Sequence, residues 1–418
     1  MNTEAPSLAN QTGGSMWPLI FGVTSLSIPA LLLRFSGTHL GIVPDTAIYG
    51  LAIISAAFLL AWAAEAAEVD ISQGLAVAVV ALIAVLPEYA VDMAFAWKAG
   101  EDPAYAPYAV ANMTGGNRLL IGAAWPFLFF LFWLRARKSV LRLERGHAVE
   151  VVALTVATAY SFILPFKGEI ALYDTVILAS IFVVYVYIIA KAPTEELELN
   201  GPALSIGILP KRQRRTAIIG LMAYAATAII ASAEPFAEGM VHSGTQLGID
   251  EFLLVQWLAP LASESPEFLF AGILAWRGRA SVGMGALLSS KVNQWTLLIG
   301  GLPIAYSLSS GEVLALPMDA RQSEEVLLTA AQSAFAVAVL ITLSISAVEA
   351  GLLFGLFALQ LFVPEWRLEV AYAYLVLAAV IVVLHRREIG PLLQMARTPH
   401  ADIRHSGEPA EHGASAGH

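Results

Sequence analysis

The sequence has no cysteine and few charged residues. The absence of cysteine from all 418 positions excludes disulfide bonds and thiolate metal ligands. Charged residues make up 13% of the chain, whereas soluble domains usually carry about 25%. The zinc-protease pattern HExxH, a Gly-rich phosphate loop and a Ser-His-Asp order are also missing. These shortages argue against a soluble protein and against an enzyme, and we expect no resident cofactor and no nucleic-acid partner.

Hydrophobic residues, by contrast, make up 58% of the chain. They occur in runs of about 20 residues, each long enough to cross about 30 Å of hydrocarbon as a helix. A β-barrel would instead show shorter, alternating segments. The sequence therefore predicts an all-α polytopic protein in a lipid bilayer, with about 12 transmembrane helices. The predicted spans are 16–34, 45–65, 73–97, 105–134, 148–166, 170–190, 216–240, 251–276, 283–309, 326–346, 348–363 and 367–384.

Basic residues indicate how these spans are oriented. With a cytoplasmic N-terminus, sixteen of the 23 Lys and Arg residues face the cytoplasm and five face outward. Because basic residues gather in cytoplasmic loops, this asymmetry predicts that both termini are cytoplasmic. We expect a multi-pass protein of the cell membrane, specifically a bacterial inner membrane. The first 15 residues contain no Lys or Arg, so we expect the first span to be retained rather than cleaved as a signal peptide.

Two segments of the sequence repeat each other. Pro87-Glu88-Tyr89 and Pro266-Glu267-Phe268 are each followed, at the same distance, by Ala-Trp. In the predicted topology the first copy runs from inside to outside and the second from outside to inside. Inverted repeats built on interrupted helices surround midplane binding sites in many secondary transporters. We expect the interruptions at residues 114–117 and 283–285, in the span after each copy.

The two repeated glutamates each lie deep within a predicted span. A carboxylate there costs about 2.5–3.5 kcal/mol on insertion scales, so it needs a cation, a proton or a basic partner. The preceding proline frees a backbone carbonyl in the turn before it. Carboxylate and carbonyl oxygens are the ligands that hard cations such as Ca²⁺ prefer. Glu88 and Glu267 are therefore predicted to bind the ion, and they are the predicted metal ligands.

Other polar residues are predicted at the same depth. Glu264 lies three residues before Glu267 and Asp92 four residues after Glu88, so each shares a helix face with its glutamate. Further oxygen and nitrogen groups come from the serine beside Glu264 and from the Gly-containing spans that follow. The predicted ion-binding residues are Glu88, Glu267, Asn117, Ser263, Glu264, Asp92 and Asn293, with Lys291 as a candidate charge substitute.

In these residues the sequence resembles the sodium/calcium exchanger family of the cation/Ca²⁺ antiporter superfamily, as a divergent bacterial-type member. The family's repeat reads approximately Gly-Thr-Ser-Leu-Pro-Glu, followed by a second helix with Gly-Ser-Asn or Gly-Ser-Asp. The resemblance implies ten core helices in two inverted halves. It also implies that Glu88 and Glu267 are the central ion ligands, with Asn117 as the first-repeat asparagine and Ser263 as a hydroxyl ligand.

The sequence departs from this family pattern around both glutamates. Ala84-Val85 stand where the family has Thr-Ser, and Glu264 stands at a hydroxyl position. An ungapped comparison gives Lys291 the second-repeat site position, whereas a shift of two residues gives it to Asn293. An ammonium group there would fill one cation position and pair with Glu264 or Glu267. Such a site would hold fewer metal ions or would exchange protons.

These features predict a secondary active cation antiporter, similar to a Na⁺/Ca²⁺ exchanger, that works by alternating access. Na⁺, Ca²⁺ and H⁺ are the candidate cargo ions. One alternative is a proton-coupled Na⁺/H⁺ or Ca²⁺/H⁺ exchanger that uses Lys291 and a glutamate; another is a non-transporting membrane protein on the same fold. The predicted organisation is an N-terminal tail and extra helix (1–44), a first half (45–190), a basic cytoplasmic linker (191–215), a second half (216–363), an extra helix (364–384) and a disordered His-containing tail (385–418).

Overall fold

The computed structural model describes residues 15–67, 69–70, 85–191, 199 and 201–397. Most of these residues are helical. The α-helices are α1 (Trp17–Ser36), α2 (Ile42–Ala67), α3 (Leu86–Glu101), α4 (Ala106–Leu119), α5 (Trp125–Ala136), α6 (Ala148–Ser161), α7 (Ile163–Lys167), α8 (Leu172–Ile189), α9 (Gly201–Gly207), α10 (Lys211–Leu247), α11 (Glu251–Trp276), α12 (Ala280–Asn293), α13 (Ile299–Ser310), α14 (Ala320–Val339), α15 (Ala347–Phe362), α16 (Arg367–Leu384) and α17 (Ile389–Arg397). Single 3₁₀ turns occupy Pro103–Tyr105, Arg145–His147, Leu340–Thr342 and Pro364–Trp366.

Four short strands pair at the ends of the helical bundle. They are β1 (Val140–Arg142), β2 (Glu169–Ile170), β3 (Leu316–Pro317) and β4 (Ser344–Ser346). β1 pairs with β4 and β2 pairs with β3, both antiparallel. Each pair joins two loops that are far apart in the sequence, and so connects the first half of the chain to the second.

Eight continuous helical stretches of the described residues are long and apolar enough, by length and composition, to cross a membrane. Some of these stretches include a short 3₁₀ or π segment or join two of the helices defined above. The eight stretches are Trp17–Ser36, Ile42–Ala67, Pro103–Ala136, Arg145–Lys167, Leu172–Ile189, Lys211–Leu247, Ala320–Thr342 and Pro364–Leu384. The helices of the two glutamates are not among the eight, since α3 has only 16 residues and α11 carries polar residues along its middle. Large apolar side chains such as Phe166 and Phe362 point outward, as expected for a lipid-facing surface. This architecture confirms the predicted all-α polytopic fold class.

The helix interruptions do not lie where the sequence predicted them. Residues 114–117 and 283–285 are regular α-helix within α4 and α12. The interruptions are two five-residue π-turns further along, Leu120–Ala124 between α4 and α5 and Gln294–Leu298 between α12 and α13. The glycines serve close packing instead: a Cβ on Gly115 would overlap the backbone carbonyl of Gln256. α4 therefore crosses α11 with the two backbones in direct contact.

Glu88 also has a different helical setting from the predicted one. The sequence placed both glutamates in the middle of continuous spans, and this holds for Glu267 within α11. α3, however, begins at Leu86, so that Pro87 and Glu88 lie in its first turn. Proline is well suited to that position because the first-turn amides have no helical acceptor. The part of the predicted span from 73 to 84 lies outside the described residues.

Two segments predicted to be irregular contain helices. Within the basic linker, Gly201–Gly207 forms α9 and the next long helix already begins at Lys211. After His385, the chain forms α17 over Ile389–Arg397, whose Leu392 and Ala396 are buried. Packing of these two side chains against the bundle explains a helix that polar composition argued against. The remaining tail, 398–418, lies outside the described residues.

The apolar interior falls into two clusters. The smaller one joins α1, α2, α9 and α10 through residues such as Ala56, Leu59, Ala225 and Ile229. The larger one includes the helices of both Pro-Glu motifs and extends to α14, α15 and α16. Small residues let α2 and α10 approach closely along much of their length. The fold is thus a helix group around α2 and α10 packed beside a larger body.

Asp70 and Arg214 form an ion pair at one end of the smaller cluster. Arg214 donates two hydrogen bonds to the Asp70 carboxylate, at 2.8 and 2.9 Å, and two more to the carbonyls of Gly207 and Leu209. The Arg214 guanidinium holds the pKa of the Asp70 carboxyl below its ordinary value. This ion pair therefore links the chain just after α2 to the start of α10.

We expect Asp70→Asn to lower the stability of the purified protein by about 1 kcal/mol at neutral pH, since the pair is near the surface. The depressed folded-state pKa means that this contribution is fully present above the unfolded value of about 3.9 and is lost as pH falls through the folded value. Thermal unfolding in detergent at pH 7 and pH 3 checks this. The difference in melting temperature between wild type and Asp70→Asn should be smaller at pH 3 than at pH 7. An equal difference at both pH values would contradict the prediction.

Candidate ion-binding site

Glu264 links the two glutamates of the repeats. Its carboxyl group lies within hydrogen-bonding range of both Glu88 and Glu267. The Gln294 side-chain amide donates to Glu264 Oε1. The Ser290 hydroxyl is buried near Glu267 but makes no hydrogen bond to a described residue. Two ionised carboxylates repel each other at such distances, so each carboxyl–carboxyl contact needs a bridging proton or cation. The structure thus brings together three of the predicted ion-binding residues.

One carboxylate oxygen on each of these side chains is buried without a partner among the described residues. These atoms are Glu88 Oε1, Glu264 Oε2 and Glu267 Oε2. Gly116 leaves room beside the first, since a Cβ there would come within 3.3 Å of Glu88 Oε1. Buried oxygens that lack donors are costly unless something else binds them. They are therefore the atoms of this site most suited to accept a proton or a metal ion.

Asp92 lies one turn beyond Glu88 on α3, fully buried. Asn112 on α4 donates to Asp92 Oδ1 at 2.8 Å. The second Asp92 oxygen, Oδ2, and Asn112 Oδ1 have no partner in the described part of the chain. Asp92 thus extends the line of buried oxygens from Glu88 along α3, and Asn112 adds an amide to it.

Asn293 and Ser263 make local contacts at the edge of this group. The Tyr89 hydroxyl donates to Asn293 Oδ1 at 2.8 Å. The Ser263 hydroxyl donates to its own helix, to the carbonyls of Ala259 at 3.5 Å and Pro260 at 3.2 Å. Its proton is therefore used within α11, while its oxygen lone pairs remain available. Tyr89 was not singled out from the sequence, although it occupies the aromatic position of the repeated motif.

Lys291 is paired with Asn117 rather than with a carboxylate. Both side chains are fully buried. Lys291 Nζ donates to Asn117 Oδ1 at 2.5 Å and to the Asn117 backbone carbonyl at 3.3 Å, and lies 4.3 Å from the centre of the Trp295 ring. The prediction that the ammonium pairs directly with Glu264 or Glu267 was wrong. The side chain follows α12 toward α4, where an amide oxygen and an aromatic face receive it.

Arg118 points away from this group, although it follows Asn117 directly. Its guanidinium pairs with Glu325 at 2.6 Å, donates to Gln360 at 3.3 Å and lies 4.9 Å from the Trp257 ring centre. Arg367 lies 3.7 Å from the other Glu325 oxygen. This network connects α4 to α14, α15 and α16. No local sequence pattern predicts this network, because Arg118 and its polar partners lie more than 200 positions apart in the chain.

Across the described ranges, no three or more His, Asp or Glu side chains are arranged so that they could already hold a metal ion. The three carboxylates instead contact one another in pairs, through Glu264. The arrangement can bind protons between carboxyl groups as it stands. Coordination of a divalent cation by all three would require their side chains to turn toward a common point.

Comparison with known proteins places this site in a family. A family model described as sodium/calcium exchanger protein matches residues 46–191 and 217–364. The chain is similar to the solved H⁺/Ca²⁺ exchanger CAX, with 44% identity over 92% of this chain and 98% of that one and a TM-score of 0.89. The fold also resembles native YfkE, with 15% identity over 82% and 98% and a TM-score of 0.61.

Its fold also resembles that of the sodium–calcium exchanger NCX_Mj, with 16% identity over 83% of this chain and 99% of that one and a TM-score of 0.50. No curated protein matches. The family match extends over both segments that carry the Pro-Glu motifs, and the identity with CAX extends over nearly the whole chain. The predicted resemblance is confirmed: this chain belongs to the sodium/calcium exchanger protein family.

Proposed function

We propose that this protein is a secondary active antiporter that exchanges Ca²⁺ for H⁺ across a membrane by alternating access. The observation that carries the proposal is the group of three carboxylates, two buried and that of Glu267 half-buried, in which Glu264 contacts both Glu88 and Glu267. Each of the three keeps one oxygen without a partner among the described residues. A group of this kind has a strong affinity for positive charge.

The physics of such a group favours exchange of one cation for another. Three ionised carboxylates inside a membrane need counter-charge, because each buried charge is costly. Protons can bridge the carboxyl pairs, or a Ca²⁺ ion can replace those protons and use six to eight oxygen ligands, which is the usual range. Both ions therefore compete for the same oxygens, and occupancy by one excludes the other. The amide and carboxylate oxygens of Asn112 and Asp92 add ligands nearby.

The nature of the relatives supports the choice of H⁺ over Na⁺ as the coupling ion. The structure with 44% identity is described as an H⁺/Ca²⁺ exchanger. The sodium–calcium exchanger, at 16% identity, supports the fold alone. We further propose that the protein lies in the cell membrane with both termini cytoplasmic, as the distribution of Lys and Arg predicts. Inorganic cations are its cargo, and they supply the positive charge that the site lacks.

Ion flux in proteoliposomes tests this proposal. Purified protein is reconstituted with a calcium indicator and a pH indicator inside, in Na⁺-free buffer, and a pH gradient is imposed. We expect Ca²⁺ to move against the direction of proton movement, and a Ca²⁺ gradient to drive protons in the same way. Calcium uptake that responds to a Na⁺ gradient but not to a pH gradient would overturn the choice of proton. No flux under any of these gradients would overturn transport itself.

A further inference from the structure

We infer that Lys291 is a tethered cation of this site: its ammonium group permanently fills one cation position and so sets the net charge moved per transported Ca²⁺. This inference rests on the antiport proposed above. The net charge moved in each transport cycle is usually set by the number of ions bound. Here a single side chain would help to set it. The inference follows from where the ammonium lies, what it contacts and which charges surround it.

The ammonium is held in the interior by contacts that suit a bound cation. Lys291 is completely buried, and its Nζ donates to the side-chain and backbone oxygens of Asn117. The Trp295 ring, with its centre 4.3 Å away, supplies a third attractive group. Two oxygens and an aromatic face provide the kind of coordination that a monovalent ion would need. Asn117 was predicted as an ion ligand, and the ion on it is this ammonium.

The surrounding charges show that the positive charge serves the carboxylate group. Burial opposes the charge of an ammonium in the interior, and Glu88 and Glu264 are the acidic side chains whose attraction favours it. Within the described residues, Lys291 forms no ion pair at 4.0 Å or less, so its charge is not committed to one carboxylate. Arg118 repels it, but that guanidinium is itself paired with Glu325 at 2.6 Å. The ammonium is therefore a buried positive charge that offsets part of the negative charge of the three contacting carboxylates.

A count of charges gives the consequence. When all are ionised, Glu88, Glu264, Glu267 and the neighbouring Asp92 carry four negative charges, which the Lys291 ammonium reduces to three, so that one negative charge remains after Ca²⁺ has bound. Without the ammonium, two negative charges remain after Ca²⁺ has bound. An unbalanced buried charge is costly, so a further monovalent cation is recruited. Because a tethered ammonium cannot leave, it lowers by one the number of monovalent cations exchanged per Ca²⁺.

The experiment measures the number of H⁺ moved per Ca²⁺, with a calcium indicator and a pH indicator, in proteoliposomes clamped at zero potential with K⁺ and valinomycin. It compares wild type, Lys291→Gln and Lys291→Arg, with Lys138→Gln as the matched control. Lys138 is exposed in a loop. We expect Lys291→Gln to move about one more H⁺ per Ca²⁺ than wild type. Lys291→Arg and Lys138→Gln should keep the wild-type ratio, even if arginine slows the flux.

Two results would overturn the inference: a wild-type H⁺ per Ca²⁺ ratio in Lys291→Gln, or an equal increase of that ratio in Lys291→Arg. Should Lys291→Gln fold without turning over, monovalent cations displaced per bound Ca²⁺ in detergent give the same count. That number should be greater by about one in Lys291→Gln than in Lys291→Arg, and equality would overturn the inference. Absence of Ca²⁺/H⁺ exchange in wild type would instead defeat the proposed function, so the two failures are distinguishable.

Discussion

Replacing Glu88 by glutamine is expected to lower Ca²⁺/H⁺ exchange by about 100-fold or more. Glutamine keeps the size of the side chain, but it carries no negative charge and cannot take up a transported proton. Removing one partner of a buried charge interaction costs about 2–5 kcal/mol, and each 1.4 kcal/mol is about tenfold in affinity. Glu267→Gln should have an effect of the same order, because Glu267 shares its contact with Glu264.

Flux in proteoliposomes measures this effect, with Glu312→Gln as the control. Glu312 is exposed in the loop after α13, so the same chemical change there should leave exchange at the wild-type level. Glu88→Gln removes a buried charge, so we expect its melting temperature to be equal to or above that of wild type. Such a melting temperature would show that the variant is folded. Wild-type exchange by the double variant Glu88→Gln/Glu267→Gln would contradict the proposed site outright.

Replacing Arg118 by methionine is expected to cost about 3–5 kcal/mol of stability, the usual penalty for breaking a buried ion pair. Methionine fills much of the volume but leaves the Glu325 carboxylate buried, with only Arg367 at 3.7 Å as a counter-charge. The contact with Gln360 is lost as well. A marked fall in melting temperature, measured in detergent, is the expected result.

The double variant Arg118→Met/Glu325→Leu is the informative control for this prediction. It removes both charges together, and replacing a buried pair by apolar residues is often neutral or stabilising. The double variant should therefore recover most of the loss. If Arg118→Met and the double variant are equally unstable, packing rather than the ion pair accounts for the effect. If Arg118→Met is as stable as wild type, the network does not hold α4 against α14.

The features that could be predicted from the sequence are those with a local signal. Apolar runs of membrane-spanning length reveal an all-α polytopic fold, because the bilayer imposes that length directly. Glu88 and Glu267 are recognisable because a charged residue within an apolar run is rare and the Pro-Glu motif occurs twice. Glu264 is predictable in turn, since three residues along a helix return to the same face.

The remaining features depend on how helices cross. Lys291 and Asn117 are 174 positions apart, and their pairing follows from the approach of α12 to α4, which no local pattern encodes. For the same reason the sequence suggested a carboxylate partner for the lysine and the structure provides an amide. The interruption was predicted at residues 114–117 because glycines often break helices. In the structure those glycines allow backbone contact and leave the helix regular, and no local pattern marks the π-turns further along.

Gly115 makes the crossing of α4 and α11 a point about which the two helices can turn. With no side chain between the Gly115 position and the Gln256 carbonyl, the two helices cannot slide past each other without a backbone collision, whereas they can turn about the point of contact. Rocking of one helix group against another is the usual form of alternating access in transporters with inverted repeats. We therefore expect α4 and α11 to keep this point of contact throughout the cycle, while the two helices change their crossing angle about it.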